Sequence, residues 1–572
     1  MNTAMGQLDS RQRWAIMGAV MLGLFLSAMD QTIVGTAMPR IIADLSGLKL
    51  YAWVFTAYML ASTTSIPIVG KMGDIYGRKN LFLLGIVIFL IGSILSGTSQ
   101  SMIQLIVFRG VQGLGGGLIF ANAFAIVGDL FTPAERGKYA GMLTGVFGVA
   151  SIIGPLVGGS ITDNLNWRWV FYVNIPLGLA ALFVLATVLP ASRKHDASRK
   201  LDYAGAGVLA ATIAPLLLGF SWAGNEYGWA SPQVVSSFGI SAVMAAAFVI
   251  IERHAAEPVI PFALFRNSVF AVSTLITLVS GAAMFSGSVY IPLFMQGVLN
   301  FSATNSGLVM TPMMLSMVAG SLVSGQIVSR TGKYKWNCVA GFAVATGGLY
   351  LLSTMDAHSS RYLGMGGMAV LGAGLGVAFT PLVLSAQNAV PHSMMGVTTS
   401  INQFSRSVGG TIGVAIMGSL LTKRLDSELA TGLPPEVTQR APAPLIEALK
   451  NPRLLLDNHA LQRVHSEGFA PIFGGDADRL FDSAVATMKD GLAAAISEVF
   501  LIATAIMFAG FLISFLLKEV PLRTTYEMPS AFEAAPEGEA TKEPVAGPSI
   551  TAPPLRGTQK RASIYLDRTG AP

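Results

Sequence analysis

The feature that most constrains this chain is a series of apolar runs, each about 20 residues long, separated by short stretches of basic residues or Gly and Pro. At 1.5 Å of rise per residue, each run reaches across the ~30 Å hydrocarbon layer of a bilayer as one helix. Hydropathy windows place spans near residues 14–36, 51–70, 80–99, 104–127, 139–161, 168–189, 203–221, 232–251, 268–298, 305–328, 336–354, 361–384, 395–421 and 491–517. Fourteen such spans imply an all-α integral membrane protein. Only 12% of the 572 residues are charged, about half the share of an ordinary soluble domain. Nearly half of those charges fall in Thr422–Asp490 and Glu519–Pro572, so the spans themselves hold few. That is too little charge to cover a water-facing surface, which excludes a soluble enzyme, a secreted disulfide scaffold and a peripheral protein.

Cys338 is the only thiol, so there is no disulfide framework and no redox pair. The net charge of +6 sits mainly in short loops, where topology accounts for it without a nucleic acid. Arg11 and Arg13 before the run Trp14–Thr36 resemble the start of a signal peptide. The run is too long for one, lacks a small-x-small cleavage site and is followed by many more spans, so it is read as the first span.

Basic residues set the orientation. With a cytoplasmic N-terminus, the inner short segments hold Arg11, Arg13, Lys71, Arg78, Lys79, Arg136, Lys138, Arg193, Lys194, Arg199, Lys200, Arg253, Arg266, Arg330, Lys333, Lys335 and Lys518. The outer short loops hold only Arg40, Lys49, Arg168 and Arg361. The positive-inside rule requires that imbalance, and an even number of spans then puts both termini in the cytoplasm.

The chain divides into a six-helix bundle (1–190), a linker with two further spans (191–265), the first five helices of a second bundle (266–421), an insertion on the outer side (422–490), the last span (491–518) and a tail (519–572). The insertion mixes charges of both signs with Leu-rich patches such as Leu445–Leu456, which predicts short amphipathic helices; a merely tolerated loop insertion is the alternative. The tail is rich in Pro, Ala and Glu and is expected to be disordered. A weak repeat relates Gly70–Lys79, after the second span, to Gly325–Tyr334, after the tenth. Both place two glycines seven apart with a basic residue next, but Ser329 stands where the first copy has Asp74. Duplicated bundles around a central site are common in transporters.

Three groups of residues carry chemistry. In the loop Gly70–Lys79, the glycines Gly70, Gly73 and Gly77 let helix ends approach. Asp74 can accept hydrogen bonds from a helix N-terminus or pair with a base, Arg78 and Lys79 being adjacent, to form a cytoplasmic latch. An ordinary basic loop is the alternative. Asp30 lies inside the first span, where an ionised acid costs about 2.5–3.5 kcal/mol, so it must face a cavity or a partner. Arg109 in the fourth span is its expected partner, because both lie roughly 12–14 Å below the outer surface. In a proton switch Arg109 would hold Asp30 charged, and loss of that support would load a proton; a structural ion pair remains the alternative. Glu498 and Arg406 are weaker candidates for charges at depth that take part in the mechanism; an interfacial helix end is the favoured reading of the first, and the second could simply snorkel. In the fifth span, Gly154, Pro155, Gly158 and Gly159 make a bendable helix suited to close packing, a property that plain packing also explains.

The chain has no phosphate loop of the G-x-x-x-x-G-K-[ST] type, no H-E-x-x-H and no G-x-S-x-G. Its six histidines fall in loops or at span ends, so no metal site is expected. Transport energised by an ion gradient is the reading left, with no cofactor.

These residues together resemble the major facilitator superfamily, and more closely its fourteen-span drug:proton antiporter family. Gly70–Lys79 resembles the signature loop between spans two and three. Leu105-x3-Arg109-x2-Gln112-Gly113 resembles the span-four motif associated with proton transfer, and the run at 154–159 the span-five antiporter motif, whose middle glycine is Ala150 here. Asp30-Gln31-Thr32-Ile33-Val34 through Pro39 resembles the first-span motif, and Trp167-Arg168-Trp169-Val170-Phe171-Tyr172-Val173-Asn174-Ile175-Pro176 is similar to the start of span six. Leu201–Gly205 opens the first of the two extra spans. The likeness covers residues 12–420 and 491–523.

The resemblance implies two six-helix bundles joined by two extra spans, alternating access to a central cavity, and export by antiport. The expected function is proton-coupled efflux of lipophilic, often cationic, small molecules across a bacterial inner membrane, as in antibiotic resistance, by a monomer whose partners are substrate, protons and lipid. Trp53, Tyr58, Phe147 and Met295 are candidate aromatic or soft cavity contacts, with packing against lipid or the core as the favoured alternative. Export of a lipid or envelope component that uses the 422–490 insertion, and a non-transporting sensor or scaffold, are the rival readings.

Overall fold

The computed structural model describes residues 9–45, 50–131, 133–190, 201–224, 226–301, 303–391, 394–450, 452–456 and 458–521. Within them, fourteen helices are long and apolar enough to cross a membrane. The first bundle is built from α1 (Ser10–Leu45), α2 (Tyr51–Tyr76), α3 (Arg78–Thr98), α4 (Met102–Leu130) and α5 (Pro133–Asn164). Its sixth span comes in two pieces, α6 (Trp169–Tyr172) and α7 (Asn174–Val188). The break has a local cause: Pro176 has no N–H to continue the turn that starts at Trp169, but fits the first turn of a fresh helix.

The extra pair, α8 (Tyr203–Trp222) and α9 (Pro232–His254), pack on each other. Their starts are capped by Asp202, which accepts the Gly205 N–H at 2.8 Å, and by Ser231 before Pro232. The second bundle holds α10 (Ser268–Gly297), α11 (Ala303–Thr331), α12 (Lys335–Ser353), α13 (Arg361–Asn388) and α14 (Met395–Gly432). The short helices α15 (Pro435–Arg440), α16 (Ala443–Leu449), α17 (Asn458–Arg463) and α18 (Ala470–Phe473) precede the last span, α19 (Ala477–Ser514). Each bundle has its own apolar core. One runs from Ile16 to Leu189, the other from Val269 to Leu517.

Three boundaries differ from expectation. The segment Gly70–Lys79 is not a loop: α2 continues through Gly70, Gly73 and Asp74 to Tyr76, and α3 resumes at Arg78. Gly77 alone makes the turn, at φ 90°, a conformation that a β-carbon would oppose. The second copy of the repeat turns the same way, at Gly332 with φ 69°. The helix outlasts its apolar run because its C-terminal end is held by packing against α14. Likewise α14 and α19 project beyond the spans expected at 395–421 and 491–517. Leu421, Leu425 and Leu429 recur every four residues along α14 and pack into the same core as Ala484, Met488 and Leu492 of α19, which keeps both arms helical despite their charged outer faces. The rest of the insertion folds between the arms, with Leu449 and Phe469 fully buried. Finally, Glu519, the expected first residue of the tail, is tied down by the Tyr334 backbone N–H at 2.7 Å, and Asn388 donates to the Pro521 carbonyl. The rest of the tail, and Arg193, Lys194, Arg199 and Lys200, lie outside the described residues.

The bundles meet along α2 against α14 and α5 against α11. In the second contact Gly141, Gly145 and Gly148 face Ser321, Val318 and Met314.

Candidate functional site: a central cavity backed by a buried ion pair

Asp30 points from α1 toward α4 and α7 and is fully enclosed. Arg109 and Gln112, three residues apart on α4 and so on one face, both reach it. Arg109 Nη1 donates to Asp30 Oδ2, and Gln112 Nε2 donates to Oδ1 at 2.8 Å. Asn174, the first residue of α7, donates to the same Oδ1 at 3.1 Å and to Ser93 Oγ at 3.0 Å. Gln112 closes the ring by accepting from Arg109 at 2.8 Å. Depth made Asp30 and Arg109 the pair to test. Gln112 and Asn174 complete the site, and each is marked in the sequence only as a polar amide inside an apolar run.

Arg109 is not fully served. Its Nε and Nη2 have no hydrogen-bond partner, and the guanidinium lies over the Tyr58 ring, 4.5 Å from its centroid. The Tyr58 hydroxyl in turn bonds Ser27 Oγ at 2.8 Å. Tyr58 and Ser27 are also wall residues of a cavity of about 330 Å³ between the two bundles. One aromatic ring therefore separates the buried pair from the cavity.

From the first bundle Gln31, Thr32, Tyr58 and Phe147 reach this cavity; from the second, Phe285, Met310, Met314, Phe379 and Arg406. Two of the four candidate contacts, Trp53 and Met295, stand outside this lining. Trp53 lies five residues before Tyr58, about 140° around the helix, and packs edge-on against Trp222 of α8 at 5.8 Å. Met295 stands eleven residues past the lining residue Met284, about 16 Å along α10, and is fully buried in the core of the second bundle. Arg406 does not reach for the membrane surface. It faces the cavity with its Cζ 4.7 Å from the Phe379 centroid, and Nη2 donates to Gln403. Glu498 is half exposed and pairs with Arg424 of α14 at 3.3 Å, remote from the cavity lining.

At the end of the molecule expected to be cytoplasmic, Asp74 accepts the backbone N–H groups of Gly396 and Val397, at 3.0 and 2.9 Å, in the first turn of α14. An acid from one bundle thus caps a helix of the other, where the helix dipole favours it. Arg78 bonds Asp74 at 2.9 Å and Asp129 at 2.7 Å. Lys71 pairs with Glu257, after α9, at 2.7 Å, and Lys79 donates to the Ala186 carbonyl at 2.8 Å.

On α5, a β-carbon at Gly154 or Gly158 would overlap the hydroxyl of Thr32 or Thr36 on α1. Ala150 fits the same seam, its carbonyl accepting from Thr32 at 3.2 Å. Pro155 lies inside the helix, and Gly159 has open space beside it. At the opposite end from Asp74, the exposed Asp44 accepts from Trp167 Nε1 at 2.9 Å and Arg168 Nη1 at 3.0 Å, and these bonds hold its carboxyl below the usual range. Among the described residues no group of His, Cys, Asp and Glu is arranged to hold a metal ion.

Residues 20–414 match the family described as the Major Facilitator Superfamily. The chain is 39% identical over 424 residues to the multidrug transporter protein MdtP of Bacillus subtilis, covering 74% of this chain and 78% of that protein. It is 40% identical over 417 residues to multidrug resistance protein 3 of the same organism, covering 73% and 81%. Among solved structures it superposes on the proton:xylose symporter XylE with a TM-score of 0.54 at 12% identity, over 88% of this chain and 96% of that one, a likeness of fold.

Proposed function

The chain belongs to the major facilitator superfamily, as a membrane transporter with multidrug efflux relatives, and from that premise we propose that it exports lipophilic small molecules across the bacterial plasma membrane in exchange for protons. The observation that carries this reading is the enclosed Asp30 one ring behind the cavity.

All the groups that contact Asp30 donate to it. A protonated Asp30 presents an O–H, and Arg109 has no acceptor to receive it. Loading a proton removes the charge that holds Arg109, so protonation favours the parting of Arg109 from Asp30. Tyr58 touches both the cavity and the guanidinium: substrate seated against Tyr58 holds Arg109 on Asp30, whereas a guanidinium freed by protonation pushes Tyr58 into the cavity. Binding and protonation then compete through one side chain, which is the requirement for antiport. One proton moving inward at 100 mV supplies about 2.3 kcal/mol, roughly a fifty-fold concentration ratio.

Alternating access follows from the seams. The Asp74 cap and the α5–α11 contact hold the bundles together, and opening requires Asp74 to leave the α14 N-terminus. With that end cytoplasmic, the structure is closed on the inside. The transporter works as a monomer and needs no cofactor beyond the proton gradient.

The test is Asp30→Asn in proteoliposomes with an imposed pH gradient: gradient-driven dye efflux is abolished. Full efflux in that variant removes the proton-switch role.

An open, largely apolar groove in the insertion, lined by Leu445, Ala460, Val464 and Ile472, favours a second reading, export of a lipid or envelope component. Replacing residues 433–476 by a short linker while keeping both helical arms decides it: lost lipid delivery with intact dye efflux supports the lipid reading.

A further inference from the structure

We propose that the central cavity selects lipophilic anions, a carboxylate or sulfonate on an aromatic or aliphatic body, through Arg406. The inference rests on the export reading in taking this cavity as the substrate site, and it names the charge of the cargo.

The buried cations of this membrane body are paired. Lys71, Arg78 and Arg109 are all buried, and each is matched by an acid: Glu257, the Asp74 and Asp129 pair, and Asp30. Such matching is expected, because a charge held away from water is costly unless paired. Arg406 breaks the pattern. Its polar contact is with the neutral Gln403, its Nε is buried with no hydrogen-bond partner, and no carboxylate of the described residues lies within ion-pair distance. Phe379 holds the guanidinium plane from one side without neutralising it. A planar fork with unused donors, aimed at a cavity, matches a carboxylate or sulfonate two oxygens at a time.

The remaining lining supplies the rest of the selectivity. Six methionines and five phenylalanines line the cavity, a soft surface that adapts to varied apolar bodies. No acid among the described residues faces it. Asp30, the acid that a cationic cargo would seek, is enclosed behind Tyr58 and already bonded on both oxygens. A lipophilic cation would therefore meet a like charge at Arg406 and no counter-charge.

Three dansyl probes of similar bulk separate the possibilities: N-dansyl-phenylalanine (anionic), its amide (neutral) and dansylcadaverine (cationic), titrated by fluorescence into the purified full-length chain in nanodiscs. The wild type is expected to bind the carboxylate at least about tenfold more tightly than the amide, with the cation weakest. Arg406→Gln brings the carboxylate to within about twofold of the amide, with an unaltered circular dichroism spectrum as the control for folding. Arg406→Lys keeps part of the preference, since charge remains and the fork is lost. Equal wild-type binding of carboxylate and amide, a preference that survives Arg406→Gln, or an equal fall for all three probes overturns the inference. Efflux of the amide under an imposed pH gradient tests the export reading separately. Amide efflux without anion preference sinks the anion site alone; anion preference without flux of any probe upholds the site and sinks export.

Discussion

Asp74 and Gly396, 322 residues apart in the chain, are joined by a 3.0 Å hydrogen bond in which the acid of α2 accepts the backbone N–H at the start of α14. The bond spans the two bundles, and Val397 adds a second at 2.9 Å. Removing an N-cap costs about 0.5–2 kcal/mol, a size that shifts a two-state equilibrium several-fold without unfolding either bundle. Asp74→Ala is expected to lengthen and broaden the distance between spin labels at Asn80 and Thr331, read by double electron–electron resonance. Cys338, the only native thiol, is fully buried and needs no replacement. An unchanged distribution would remove the latch role.

Stability separates the ion pair from its function. Arg109→Ala leaves Asp30 buried with only neutral donors, an arrangement that costs about 3–5 kcal/mol. The double variant Asp30→Asn, Arg109→Gln leaves no charge and is expected to melt well above Arg109→Ala while remaining inactive in gradient-driven efflux. A double variant no more stable than Arg109→Ala would mean that the network, not the charge, dominates.

Asn174 tests whether the neutral donors matter for coupling. Asn174→Ala removes a bond to Asp30 and another to Ser93, about 1–3 kcal/mol at a buried site. The pH midpoint of efflux is expected to move while amide-probe binding stays unchanged. A fall in binding with an unmoved midpoint would mark Asn174 as structural only.

The α1–α5 seam predicts a compensating pair. Gly154→Ala drives a methyl into the Thr32 hydroxyl and is expected to abolish most efflux. Adding Thr32→Ala should recover part of it, only part because the Thr32 β-carbon itself would sit 2.9 Å from the new methyl. Failure of any rescue would place the defect elsewhere on α5.

Asp44 gives a pH dependence of known sign. Its carboxyl is held below the ordinary value of about 3.9 by Trp167 and Arg168. A depressed folded-state value stabilises above the unfolded value and is lost as the pH falls through the folded one. Trp167 fluorescence, taken as wild type minus Trp167→Phe, should therefore change in acid below about pH 4, and Asp44→Asn should show the acid form already at pH 7.

The sequence by itself determined the fourteen crossings, because length and hydropathy are local properties and lipid accepts little else. It also singled out Asp30 and Arg109, since charge at depth is conspicuous against an apolar background. What only the tertiary structure decided is which face of each helix looks inward. These helices are apolar nearly all round, so lipid-facing and cavity-facing residues look alike in one dimension; Trp53 and Met295, which stand outside the cavity lining, have the same local credentials as Tyr58 and Phe147, which reach it. The helical state of Gly70–Tyr76 came from a contact with α14 more than 300 residues away. The sequence marks Arg406 only as a weak candidate that could equally snorkel. Whether a cation in a membrane helix is paired, snorkelled or waiting for an anion depends on what the neighbouring helices place beside it, and only their packing supplies that.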